Sequence, residues 1–219
     1  MAELMGSDFD LLGVMTRMGI AFGFGDETVG ETCRRCGLDA HTFLLICKIY
    51  SVDGYVPTDE DLQKARVWEV LQYLRRSHAY YMDVAMQGLS DALKELTEPC
   101  GEKHQRIIRQ FFHEYRGELA KHFEYEERTV FPYVDEVLAG KGKSGGFTIG
   151  QYEESHSNVQ EKLEDLKNLV MKYLPSSCDV QQSYKALFYI FLLEHDLARH
   201  TLVEDDVLVP IVNRMESHG

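Results

Sequence analysis

No stretch of this sequence is apolar for long enough to cross a bilayer, so no membrane partner is expected. Its first residues, MAELMGSDFDLLG, lack a basic segment followed by a hydrophobic one, and the chain reads as mature and cytoplasmic. Positive charge is scarce. Lys and Arg number 23 against 36 Asp and Glu, giving a formal net charge of −13. A general nucleic-acid binder would show a basic stripe, so that class is set aside. Cysteine is sparse too: five residues, odd in number and irregularly spaced, make no disulfide framework. A reducing compartment fits them, with Cys47, Cys100 and Cys178 read as small core or surface residues. Strand-type alternation is missing throughout.

What is present is helical periodicity. From about Asp61 to Leu96, apolar residues recur at Val67, Val70, Leu71 and Leu74, then Tyr81, Ala85, Leu89 and Leu93. Pro99 and Gly101 end that helix. A second is expected from about Glu102 to Leu138, where the Gly/Lys loop AGKGKSGGF begins at 139. A third starts after Thr148, which pairs with Gln151 as a capping box would, and ends near Pro175. A fourth starts near Asp179, with Gln182 three residues on, and runs almost to the end. Four long helices with short connections predict an all-α fold, an antiparallel four-helix bundle. Gly54 and Pro57 mark a boundary before it, with Thr58 and Asp61 as a capping pair. The expected division is a small helical N-terminal domain, 1–57, and the bundle, 58–219.

Inside that pattern lies a repeat. KHFEYEERTVFPYV (121–134) and RHTLVEDDVLVPIV (199–212) share a basic residue, His, Glu four residues later and Pro six beyond that. The offset is 78 for His122 and His200, for Glu126 and Glu204, and for Pro132 and Pro210. Ser77-His78 and Ser155-His156 keep the same offset, as do the acids Glu118 and Asp196. The pattern is that of a duplicated helical hairpin.

Positions i and i+4 share a helix face, so His122 points with Glu126 and His200 with Glu204. His78 and His156 add one imidazole from each remaining helix. Any one of these is ordinarily a satisfied polar residue, and a lone H-x-x-x-E pair is a common surface motif. Six such groups in one register are not. Burying them without metal would cost several kcal/mol per ion, on the order given for buried charges. Four imidazoles and two carboxylates suit a pair of iron ions, each taking two histidines with both glutamates bridging. Octahedral iron would keep positions for an oxo or hydroxo bridge and for a small exogenous molecule. Glu118 and Asp196 should lie just outside the metals, or else be solvated helix-surface acids. Ferritin-like di-iron bundles use a Glu-x-x-His motif on two helices. Only Glu153 and His156 have that spacing here.

The set His78, His122 with Glu126, His156, and His200 with Glu204 resembles the hemerythrin-type HHE cation-binding family over roughly residues 62–216. Hemerythrin's fifth histidine would fall in the turn after His156, where Ser157, Asn158, Val159 and Gln160 stand. The pattern is therefore more similar to the branch that repairs iron–sulfur clusters damaged by nitric oxide or oxidants. That resemblance implies a cytoplasmic non-haem di-iron protein of nitrosative or oxidative stress, with iron–sulfur proteins as partners and O2 or NO as a small ligand. It leaves two other readings open: an O2/NO-binding or iron-sensing module without turnover, and a regulator acting through its N-terminal domain. The branch carries Gly-Ile-Asp-Phe-Cys-Cys-Gly-Gly near its N-terminus. Here Gly19, Ile20 and Phe22 match in outline, but Gly23 and Phe24 stand where the paired cysteines would be.

Cys33 and Cys36 have redox spacing but no second Cys/His pair nearby, so two small helix residues are expected. Residues 27–46 have a helix-turn-helix cadence. Residues 1–60, however, hold ten acids against four bases, a poor footprint for phosphate. Tyr80, Tyr81, Tyr115, Tyr125, Tyr152 and Tyr189 read mainly as core packing. Pro132 and Pro210 each remove one helical hydrogen bond and should bend or loosen their helices, with the shaping of a helix end as the preferred reading.

Overall fold

The computed structural model describes residues 1–141, 146–153, 159–175 and 178–218, and every regular element among them is helical. In chain order these are α1 (Ala2–Ser7), α2 (Leu11–Arg17), α3 (Val29–Arg35), α4 (Ala40–Ser51) and α5 (Asp59–Lys64). They are followed by α6 (Val67–Tyr80), α7 (Met86–Thr97), α8 (Glu102–Tyr125), α9 (Phe131–Leu138) and α10 (Ile149–Glu153). The last are α11 (Val159–Tyr173), α12 (Val180–Val203) and α13 (Val209–His218). Three five-residue π turns, Tyr81–Ala85, Glu126–Val130 and Glu204–Leu208, carry α6 into α7, α8 into α9 and α12 into α13 without a break. The fold is all-α, a helical bundle.

The expected helix starts are made by the expected side chains. Thr58 Oγ1 accepts from Asp61 N–H at 3.1 Å, and the Asp61 carboxylate accepts from Thr58 N–H at 3.1 Å. Thr58 holds that carboxyl well below the usual range, through its hydroxyl first and its amide second. Gln182 N–H donates to Asp179 Oδ1 at 2.9 Å, and Thr148 N–H to Gln151 Oε1 at 3.3 Å. One boundary differs. The helix expected from about Asp61 is interrupted at Ala65, which is extended (ψ 138°), so α5 stands apart from α6. Arg66 N–H is drawn off to Thr42 Oγ1 at 2.9 Å instead of continuing α5.

By its contacts the chain forms two compact units. One comprises Met1–Ser77, Thr129–Ser155 and Arg199–Gly219. Its core gathers Leu11, Met15, Phe43, Ile46, Leu71, Phe131, Val134, Val207 and Leu208. Two buried charges tie α2 and α4 to α6. Arg17 donates to the hydroxyls of Tyr50 (3.2 Å) and Tyr73 (3.3 Å), and the Glu69 carboxylate accepts from Asp39 N–H at 3.0 Å. That last bond satisfies an amide just before α4, where no helical carbonyl is available.

The other unit comprises His78–Arg128 and His156–Ala198. Four helical segments share its core: Leu89, Leu93 and Leu96 of α7, Ile108, Phe112 and Leu119 of α8, Leu163 and Leu166 of α11, and Ala186, Ile190 and Leu193 of α12. Burying such a side chain is worth about 1.5–3 kcal/mol. Cys100 and Cys178, expected as unremarkable small residues, are joined by a disulfide (Cα–Cα 6.0 Å). Gly88 lets α7 approach α12 closely: a Cβ there would sit 2.8 Å from the Tyr189 ring. Gly88→Val should therefore destabilise the protein by about 1–3 kcal/mol through overpacking. Urea unfolding measures this, and an unchanged midpoint would mean that Tyr189 swings away freely.

Candidate metal centre

The three π turns fall where the sequence placed its ligands. Glu126 and Glu204 are each the first residue of one, and His78 precedes the third by three residues. A π turn accommodates one extra residue and is found mostly at functional sites. Pro132 and Pro210 lie just beyond two of these turns and have no N–H to give the carbonyls of Arg128 and Asp206, so the i→i−4 ladder is interrupted there. The turn Tyr81–Ala85 is followed by no proline before Pro99, so proline is not what the three turns have in common.

Two clusters of histidine and glutamate result. Within the residues of α6 and α8 with its π turn, the Glu126 carboxylate lies between two imidazoles. Oε2 is 3.1 Å from His78 Nε2 and Oε1 is 3.0 Å from His122 Nε2. Glu126 has no solvent exposure, and the side chains of His78 and His122 are 5% and 15% exposed. Along α12 and its π turn, His200 Nε2 is 3.2 Å from Glu204 Oε1, both buried. Carboxylates and imidazoles removed from water this completely are costly unless a cation or matched hydrogen bonds compensate. The donor chemistry, nitrogen and carboxylate oxygen with no thiolate, fits iron.

Of the six residues expected as ligands, His78 and His122 flank Glu126 in one unit and His200 contacts Glu204 in the other. His156 lies outside the described residues. Glu118, one turn before His122, ion-pairs with Lys162 of α11, both partly exposed. Asp196 is half-buried, and its backbone carbonyl accepts from the Tyr81 hydroxyl at 3.2 Å.

Sequence reasoning missed two supports of His78. Glu127 Oε1 is 2.9 Å from His78 Nδ1, so the imidazole can donate there and turn the lone pair of Nε2 toward Glu126. The signal was available: Glu127 is answered by Asp205 at the same 78-residue offset. Phe123 stacks on the His78 ring at 4.1 Å and on Tyr81 at 5.7 Å, sealing one side with apolar surface. Elsewhere, Tyr81, Tyr115 and Tyr152 are fully buried as expected of core residues, whereas Tyr80 and Tyr125 are each 39% exposed. Cys33 is buried and its thiol is pushed up to about 11, chiefly by burial, which makes it a poor nucleophile.

The family model described as the hemerythrin HHE cation-binding domain matches residues 70–212. The chain is also 22% identical over 200 residues to the iron-sulfur cluster repair protein ScdA of Staphylococcus haemolyticus (strain JCSC1435), covering 89% of each chain. With the matched span running from α6 into α13, this chain belongs to the hemerythrin HHE cation-binding domain family.

Proposed function

We propose that the protein carries a non-haem di-iron centre and acts in the repair of iron–sulfur clusters damaged by nitric oxide or oxidants. The observation that carries this reading is a pair of buried His/Glu clusters, Glu126 between His78 and His122, and Glu204 against His200. It is supported by a relative of nearly equal length whose name states cluster repair. His78, His122, His156 and His200 would hold such a centre through nitrogen, and Glu126 and Glu204 through carboxylate oxygen. Iron bound there would supply redox and Lewis-acid chemistry toward a small diatomic ligand such as O2 or NO.

The chain's own residues set the conditions for that chemistry. Glu126 and Glu204 bring the negative charge that offsets two cations. Glu127 accepts a hydrogen bond from His78 Nδ1–H and fixes the ring's orientation. Phe123 keeps water from one face of the same ring. The excess acid of the chain argues against a nucleic-acid partner, and the relative's name supports a damaged iron–sulfur protein as the partner. No helix among the described residues is long and apolar enough to cross a membrane. A reducing cytoplasm, where labile clusters reside, is the proposed compartment. The proposed division keeps 1–57 as a helical N-terminal domain beside the family domain.

One feature favours a second reading, an O2/NO-binding or iron-sensing module without turnover. Gly23 and Phe24 occupy the place of the cysteine pair, so thiol chemistry at that position is unavailable. A repair assay separates the two. Iron-loaded protein should restore activity to a [4Fe–4S] dehydratase inactivated by nitric oxide, in proportion to its own iron content. Binding of NO with no recovery of the dehydratase would favour the sensing module.

Two sets of substitutions probe the surroundings. Glu127→Gln should weaken iron binding about tenfold while leaving the fold intact, because acceptors behind ligating imidazoles typically matter by that factor. Competitive chelation reads this, and wild-type affinity would remove Glu127 from the account. Glu118→Gln and Asp196→Asn should slow metal loading if these acids line the route for iron. Wild-type loading in both would leave them as solvated surface acids.

A further inference from the structure

We propose that Cys100 and Cys178 form a reversible thiol–disulfide couple that locks together the two helical hairpins of the second unit. The bond joins residues separated by 78 positions. That is the offset that relates His122 to His200 and Glu126 to Glu204, so the two cysteines are equivalent positions of one duplication. Each stands two residues before the second helix of its hairpin, Cys100 before α8 and Cys178 before α12.

Both backbones are held where they are by hairpin-local hydrogen bonds that do not need the sulfur bond. Cys100 N–H donates to Thr97 O at 3.0 Å, and Cys178 N–H to Pro175 O at 3.0 Å. The Gln105 side chain donates to the carbonyls of Glu98 (3.2 Å) and Cys100 (3.0 Å), closing the first loop. Opening the disulfide therefore leaves the two Cα atoms near their present 6.0 Å, within bonding range for reclosure. The reduced state is also provided for. Cys100 Sγ lies 3.5 Å from Leu96 O, so a thiol there has an acceptor waiting.

Access divides the roles. Cys178 is partly exposed, whereas Cys100 is 1% exposed. Cys178 is the sulfur that meets an incoming small disulfide. Its thiolate attacks one sulfur, breaking the small disulfide, releasing one thiolate and leaving a mixed disulfide. The Cys100 thiolate then attacks Cys178 Sγ, releasing the second. The protons given up by the two cysteines go to the departing thiolates. The protein loses two electrons and one small disulfide becomes two thiols. Cys33 and Cys47 are set apart from this chemistry, since burial pushes their thiols up to about 11 and about 12.

The test uses the full chain, fully reduced and then exposed to oxidised glutathione. Alkylation and mass spectrometry should find five thiols before oxidation and three after, with Cys100 and Cys178 in one cross-linked pair. The thermal midpoint should rise by about 5–10 °C on closing so long a loop, and dithiothreitol should reverse both changes. Cys100→Ser should halt with glutathione left on Cys178, whereas Cys178→Ser should leave Cys100 slow to react. Five alkylated thiols after prolonged exposure to oxidised glutathione would overturn the couple. So would a cross-link that native protein cannot reduce, because that is a permanent staple. An unchanged midpoint on closure would overturn the locking role.

Discussion

His200→Ala is expected to lower the iron content of the purified protein from about two atoms per chain to one or none, because a site with few spare donors loses a nitrogen ligand. His200 is 2% exposed and lies 3.2 Å from Glu204, so no water or neighbouring side chain can easily stand in for it. His122→Ala should act in the same direction. Its side chain is 15% exposed, which leaves more room for a water to occupy the vacated position. The loss in that variant should therefore be the smaller of the two, and high imidazole concentration should recover part of it. Iron at the wild-type level in both variants would remove these histidines from the ligand set.

The second large effect concerns stability. Glu126 and Glu204 have no solvent exposure, and His78 and His200 are nearly as buried. Without a cation, this much buried polar chemistry costs several kcal/mol, on the order of 3–5 for a buried charge left uncompensated. At about 2–4 °C per kcal/mol for a chain of this size, stripping the iron should lower the thermal midpoint by about 10 °C. The shift must be specific to the site. A variant carrying His200→Ala and Glu204→Ala should melt at the same temperature with and without ferrous iron. If iron leaves the wild-type midpoint within about 2 °C of its metal-free value, these buried histidines and glutamates do not hold metal.

Much of this molecule could be read from its sequence because duplication wrote it twice. The helices at 102–138 and from 179 onward were legible from periodicity and caps, and Asp179, Thr148 and Thr58 each make the hydrogen bond expected of them. The pairs His122–Glu126 and His200–Glu204 followed from i,i+4 geometry alone, and both are in contact. What escaped were features with no periodic signature. A π turn shifts the helix by a single residue, which an apolar pattern of period 3.6 averages away; Pro132 and Pro210 hinted at two of the three, and nothing marked the turn at Tyr81–Ala85. The bond from His78 to Glu127 depends on how that turn rotates two adjacent acids, Glu126 and Glu127, which composition cannot distinguish. The break between α5 and α6 arises from Thr42, a residue 24 positions away that captures the Arg66 amide. Cys100 and Cys178 were overlooked for another reason. An odd cysteine count argued against pairing, although the two residues share the 78-residue offset of the repeated histidines, acids and prolines.

The central claim is a di-iron centre built on Glu126 and Glu204, and metal analysis of freshly purified protein together with its optical and Mössbauer spectra tests it most directly. The account predicts about two irons per chain, spectrally coupled as a pair, and the loss of both when either glutamate is replaced by alanine, since each is shared. Protein that stays essentially free of iron after anaerobic reconstitution with ferrous salt, or variants at both glutamates that keep a full complement, would contradict it.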